Sequence, residues 1–314
     1  MILVTGANGF VGNAVVLALG EGEARGAVRS SLSSCGNCVV GDIDSRTNWL
    51  AALDGITTVV HTAARVHIMD DRSDNPLSEY RRVNVDGTLN LARQAESKGV
   101  HRFIFLSSIK VNGEFSEGGV FTADDVPRPM DSYAVSKMEA EIGLREIARK
   151  GGMEVVIIRP PLVYGPGVKA NFLTMMRWLQ KGVPLPFGAI HNRRSLVGLD
   201  NLVDLIVACT NHPAAANQTF LVSDDDDLST TQLLSKVGCC LGKKPMLLPV
   251  PQKLLQLVLF LLGRKDFAQR LCGSLQVDIT KTKELLGWQP PVTVDVSLQK
   301  TVGAYLSGKN YEGG

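Results

Sequence analysis

The chain has 314 residues, 45% of them hydrophobic, with 33 Lys or Arg against 31 Asp or Glu and a formal charge of +2. That length suits a large doubly wound domain, alone or with a smaller partner, and the near-neutral balance with few aromatics and no long basic block argues against nucleic acid. No apolar run is long enough for a transmembrane segment, and because the sequence opens directly on a strand, a cytoplasmic location is expected.

Residues 1–5 form a short apolar run, and Gly6, Gly9 and Gly12 follow at three-residue spacing. In Thr5-Gly6-Ala7-Asn8-Gly9-Phe10-Val11-Gly12 the chain turns tightly from strand to helix. A pyrophosphate fits there, against free N–H groups at the helix N-terminus. A dinucleotide is therefore expected on Gly6, Asn8, Gly9, Phe10, Val11 and Gly12. A second run, 24–29, ends on Arg29 and Ser30, where sites selecting NAD usually carry a carboxylate for the ribose hydroxyls. A guanidinium donates hydrogen bonds and cannot accept them, so a 2′-phosphate suits this pair better. NADP(H) is the expected cofactor, with NAD(H) the alternative and an ordinary solvated arginine the plainer account of Arg29.

Strand signals recur at 38–40, 58–61, 103–107 and 154–158, separated by helix patterns that include 12–19, 80–97 and 132–150. Apolar runs flanked by amphipathic helices predict an α/β Rossmann-type fold, a doubly wound parallel sheet of six or seven strands covered on both faces. The texture changes after Arg159-Pro160-Pro161. Residues 1–160 are expected to form the dinucleotide-binding core, and 161–314 a smaller C-terminal region closing over the cleft, with some segments returning to the core sheet. Helices are predicted at 172–180, 201–210 and 228–237, and the acidic run from Asp224 to Asp227 suits a helix N-terminus without any metal. Residues 246–262 are very apolar but interrupted by Pro249, Pro251, Gln252, Lys253 and Gln256, which predicts a helix starting near Pro251. The stretch 251–262 is a candidate for a peripheral membrane or dimer contact. Cys35 and Cys38 have zinc-knuckle spacing, yet Cys209, Cys239, Cys240 and Cys272 offer no second knuckle, so free thiols and no metal are expected.

Tyr133 and Lys137 lie four apart at the start of the helix at 132–150, on one face of it. The ammonium, the helix N-terminus and a cationic nicotinamide would all favour phenolate and lower the pKa of Tyr133. Ser108, at the tip of the strand at 103–107, is placed to hold the same substrate oxygen. Together they are the expected catalytic set.

These motifs carry a resemblance. The chain resembles the extended short-chain dehydrogenase/reductase family, in its nucleotide-sugar epimerase, dehydratase and reductase group, through Thr5 to Gly12, Gly41-Asp42, His61-Thr62-Ala63-Ala64, Asn84-Val85-Asp86-Gly87-Thr88, Ser107-Ser108, Tyr133 with Lys137, Arg159-Pro160, Val163-Tyr164-Gly165-Pro166-Gly167 and Leu286-Gly287-Trp288-Gln289-Pro290. The resemblance implies that Asp42 and Ile43 meet the adenine, that the run from His61 through Thr62 and Ala63 to Ala64 lies beside the diphosphate and ribose, that Asn84 braces the central strands, and that Lys137 and Pro160 touch the cofactor. It also implies a UDP-linked sugar as substrate, with Asn171, Phe172 and Leu173 at the uridine diphosphate. Arg194 or Arg270 would take a phosphate, unless both are plain surface charge, and Arg65 and Lys110 would lie near the sugar. A homodimer through the helix of Tyr133 and the one after Tyr80 is implied as well.

The sugar dehydratases of that group carry an Asp and a Glu after the catalytic hydroxyl, where this chain has Ile109 and Lys110, so dehydration is disfavoured. Asn112 stands where many epimerases have a tyrosine. The resemblance points first to bacterial enzymes of surface-polysaccharide (O-antigen) synthesis, NADP(H)-dependent 4-keto reductases making UDP-N-acetylfucosamine or UDP-N-acetylquinovosamine. The alternative is a UDP-hexose (glucose or N-acetylglucosamine) 4-epimerase with retained NAD. A non-catalytic nucleotide-binding sensor is a third reading, against which the intact Ser108, Tyr133 and Lys137 speak.

Overall fold

The computed structural model describes residues 1–30, 37–66, 75–116 and 118–308. Cys35, half of the knuckle spacing, lies outside them; the other five cysteines are free. Among the described residues, seven strands form one parallel sheet in the order β3-β2-β1-β4-β5-β6-β9. These are β1 (Ile2–Thr5), β2 (Ala24–Val28), β3 (Cys38–Val39), β4 (Thr58–His61), β5 (Arg102–Leu106), β6 (Glu154–Arg159) and β9 (Thr219–Leu221). The short strands β7 (Leu162–Tyr164) and β8 (Leu196–Gly198) pair apart from it.

The sheet is an α/β Rossmann sheet whose order reverses between β1 and β4, which opens a crevice at their carboxyl ends. Its buried strands are rich in Val, Ile and Phe, as a sheet covered on both faces requires. One face packs against α1 (Phe10–Leu19) and α6 (Leu199–Asn211) through Val15, Leu202 and Ile206. The other packs against α3 (Thr88–Ser97) and α4 (Ser132–Lys150) through Leu91, Ala95, Ala140 and Leu144. A third cluster, with Phe172, Met176, Leu234 and Leu298, joins α5 (Ala170–Gln180), α7 (Thr230–Cys240) and α11 (Val294–Leu306). Beside it lie α8 (Gln252–Leu261), α9 (Lys265–Cys272) and α10 (Thr280–Leu286).

Two local differences from the sequence pattern matter. The helix predicted at 80–97 is broken: α2 (Pro76–Tyr80) passes through a π-helical turn, Arg81–Gly87, before α3 begins. The acidic run at 224–227 does not charge a helix start, since α7 is capped by Ser229 with a reciprocal bond from Gln232. Instead the buried Asp224 accepts hydrogen bonds from Tyr164, Asn201 and the Gly198 amide, and Asp227 accepts from Ser195 and Gln276.

Candidate active site

The turn from β1 into α1 is made of backbone. Gly6 has φ +68°, and a Cβ on Gly12 would sit 2.2 Å from the Gly6 carbonyl oxygen. Only hydrogen fits at Gly12, so the helix starts against the strand tip. No side chain caps α1 and its first turn holds no acid, which leaves its N–H groups for an anion. They face a cleft of about 630 Å³ lined by Gly6, Asn8, Gly9, Phe10, Val11 and Gly12. Arg29, Ser30, Ile43, Ala63, Ala64 and Pro160 line it as well, and Ser108, Tyr133 and Lys137 close one end. This donor set and shape fit a dinucleotide.

Three expected cofactor contacts are not in the lining. His61 points inward, its Nδ1 2.7 Å from Thr5 Oγ1 and its Nε2 2.9 Å from Thr88 Oγ1. Burial, with the Lys137 charge adding, holds its pKa down to about 3. Asn84, in the π-helical turn, donates to the Arg65 carbonyl at 3.0 Å and to Ser136 Oγ at 3.0 Å, so it ties the segment after β4 to α4. The Asp42 carboxylate is occupied by Arg29, Nε to Oδ1 3.1 Å.

Ser108 follows β5, caps a 3₁₀ turn (Ile109–Val111) and hydrogen-bonds the Tyr133 phenol. Tyr133 is the second residue of α4, which Asp131 caps by accepting the Ala134 amide at 2.7 Å. Lys137, one turn on, is buried and donates to the Leu106 carbonyl at 2.8 Å. The expected acidification of Tyr133 is not produced by these groups. Burial pushes the phenol above its ordinary value, Asp131 and Tyr80 push the same way, and only Ser108 opposes them. Burial also lowers Lys137 to about 7 against the attraction of Glu141. Desolvation is the largest influence on the phenol, and it disfavours the phenolate.

Under this set lies a buried ionic network. Glu141 on α4 accepts from Ser107 Oγ at 2.6 Å and from Arg159 at 2.9 and 2.6 Å, while Arg159 also donates to Asn112 Oδ1 at 2.9 Å. Asn112 in turn donates to the Thr122 carbonyl, so the residue standing in for a tyrosine is a buried brace. Lys110 is committed to Asp131 and Glu114 and lines neither cavity. The Arg65 guanidinium lies 5.5 Å from the Tyr80 ring centroid.

A second cavity, about 760 Å³, lies among α5, α7 and α9, with Asn171, Trp178, Phe187, Arg264 and Arg270 in its wall. Phe172 is instead buried and stacked on Tyr164, Leu173 packs against the core cluster, and Arg194 donates to the carbonyls of Arg270 and Gly273, bracing the end of α9. Sequence reasoning missed Trp178, Phe187 and Arg264 here, for which no local signal exists, whereas Thr62, within the His61-Thr62-Ala63-Ala64 motif, lines the first cleft. No group of acids, His or Cys able to hold a metal occurs among the described residues.

The chain belongs to the NAD dependent epimerase/dehydratase family, whose profile matches residues 2–223. It is therefore an enzyme of the NAD(P)-dependent nucleotide-sugar oxidoreductase and epimerase group. It is 49% identical to a UDP-glucose 4-epimerase of Vibrio cholerae, over 98% of this chain and 96% of that protein. It is 29% identical to an N-acetyl-alpha-D-glucosaminyl-diphospho-ditrans,octacis-undecaprenol 4-epimerase of Escherichia coli O157:H7, over 96% and 94%. In fold it matches the UDP-glucuronic acid 4-epimerase from Bacillus cereus in complex with NAD, with a TM-score of 0.79, 20% identity and 99% of each chain covered.

Two expectations are corrected by these findings. The likeness to 4-keto reductases, and with it the reductase activity, gives way to a 4-epimerase at 49% identity. NADP(H) gives way to NAD: the family is NAD dependent and the Bacillus cereus structure holds NAD. The physical reason lies in Asp42, since a 2′-phosphate at Arg29 would meet that carboxylate as well as the guanidinium.

Proposed function

We propose that the protein is a UDP-hexose 4-epimerase acting on UDP-glucose or UDP-N-acetylglucosamine with retained NAD. The observation that carries this reading is the Ser108–Tyr133–Lys137 set, half-buried at its two hydroxyls and buried at the lysine, at one end of a glycine-built cleft, together with 49% identity to a 4-epimerase along nearly the whole chain. When bound, NAD supplies a place for the C4 hydride to go and to return from. Tyr133 moves the proton at the C4 oxygen, Ser108 orients that oxygen, and Lys137 fixes the ribose. Gly6, Asn8, Gly9, Phe10, Val11 and Gly12 hold the diphosphate, with Ile43, Ala63, Ala64 and Pro160 along the rest of the dinucleotide. Asn171, Arg264 and Arg270 support a uridine diphosphate in the second cavity, where they line the wall.

The test is to give the purified protein UDP-glucose, and separately UDP-N-acetylglucosamine, without added cofactor, and to follow the sugars by NMR. Interconversion of the C4 epimers, with NAD recovered from the denatured protein, is expected. Failure to interconvert either sugar by protein from which NAD is recovered would overturn the reading.

A further inference from the structure

Helix α8 carries more apolar surface than the fold uses. Leu255 and Leu259 face the core cluster of α5, α7 and α11. Leu254, Leu257, Val258 and Leu261 recur at positions i, i+3, i+4 and i+7 of another face, and each is at least 44% exposed. Phe260, Leu262 and Phe267 widen this patch. An amphipathic surface helix needs one apolar stripe, and α8 has two. A contiguous exposed patch of this kind marks a contact surface.

The surrounding charge says what the contact is with. Residues 243–272 contain Lys243, Lys244, Lys253, Arg264, Lys265 and Arg270 against Asp266 alone, while the rest of the chain is net acidic. We infer that the α8–α9 edge seats on an anionic phospholipid surface, its leucines at the boundary between headgroups and acyl chains and the exposed Lys244 and Lys253 on the phosphates. A two-fold contact with a second copy would set this basic segment against itself, and like charges facing each other oppose association. No helix among the described residues is long and apolar enough to cross a membrane, so α8 lies on the surface. The same hairpin supplies Gly263, Arg264, Phe267 and Arg270 to the second cavity, so seating on lipid also fixes one wall of that cavity.

The test is flotation of the full chain with vesicles of phosphatidylglycerol mixed into phosphatidylcholine, beside vesicles of phosphatidylcholine alone. Each basic residue near an anionic surface strengthens binding about fivefold. Partition at least about tenfold higher on the anionic vesicles is expected, falling as salt is raised. Leu257→Glu combined with Leu261→Glu, both outside the two cavities, should abolish flotation while the melting temperature and NAD affinity stay those of the parent. Equal partition to both vesicles, partition to neither, or a dimer that this double substitution turns into a monomer in sedimentation velocity would overturn the inference.

Discussion

The Tyr133 end and the Arg29 end of the same cleft are held in opposite ways. At the Tyr133 end the proposed catalytic side chains stand on a buried network in which Glu141 and Arg159 are almost wholly inaccessible. At the Arg29 end stands one ion pair, Arg29–Asp42, with side chains 75% and 73% exposed. A buried pair is costly to disturb because a charge is then left without its partner, whereas an exposed pair is screened and easily replaced. The Tyr133 end is thus anchored in the core, while the Arg29–Asp42 end is open to solvent.

Four substitutions and one pH series sharpen that contrast. Tyr133→Phe should lower turnover about 10²–10⁴-fold with cofactor affinity nearly kept, measured as initial epimerisation rate; wild-type turnover would remove Tyr133 from its role. Glu141→Gln should destabilise the fold by about 3–5 kcal/mol in denaturant unfolding, because Arg159 loses its charge partner. Gly12→Ala should destabilise by about 1–3 kcal/mol, the new methyl meeting the Gly6 carbonyl, and should weaken NAD binding in titration calorimetry.

Lys137 sets the pH series. Its pKa falls from 10.5 to about 7 on folding, so between those values the unfolded chain binds more protons than the folded one. This residue's contribution to stability therefore rises with pH through that window and is flat below about pH 7. Stability of the wild type relative to Lys137→Met, measured by chemical unfolding from pH 6 to 9, should climb above neutrality; a flat difference would mean that the ammonium is not desolvated. The smallest effect belongs to Asp42→Asn, which frees Arg29 and should improve NADP binding relative to NAD by about fivefold or less.

What could be read in advance follows the same division. The glycine turn, Ser108 at a strand tip and the Tyr133–Lys137 spacing were legible because each depends on the backbone over a few residues. The Arg29–Asp42 pair was not, because it arises where β2 and β3 lie side by side, and Arg29 read alone suggested the wrong cofactor. His61 sits in a motif that runs along the cleft, yet its ring turns into the core between Thr5 and Thr88. Arg264 meets Trp178 and Phe187 in one cavity wall from a segment far away in sequence, and no local pattern marks them. The π-helical turn escaped because it disturbs the helical period only briefly, within a stretch whose apolar spacing otherwise reads as one helix.

The pairing of β9 with β6 has a consequence for biosynthesis. Until residues 219–221 leave the ribosome, β6 presents an open row of amides and carbonyls at the edge of the sheet. A nascent chain halted before that point is an aggregation hazard, and one released after it can close its own edge.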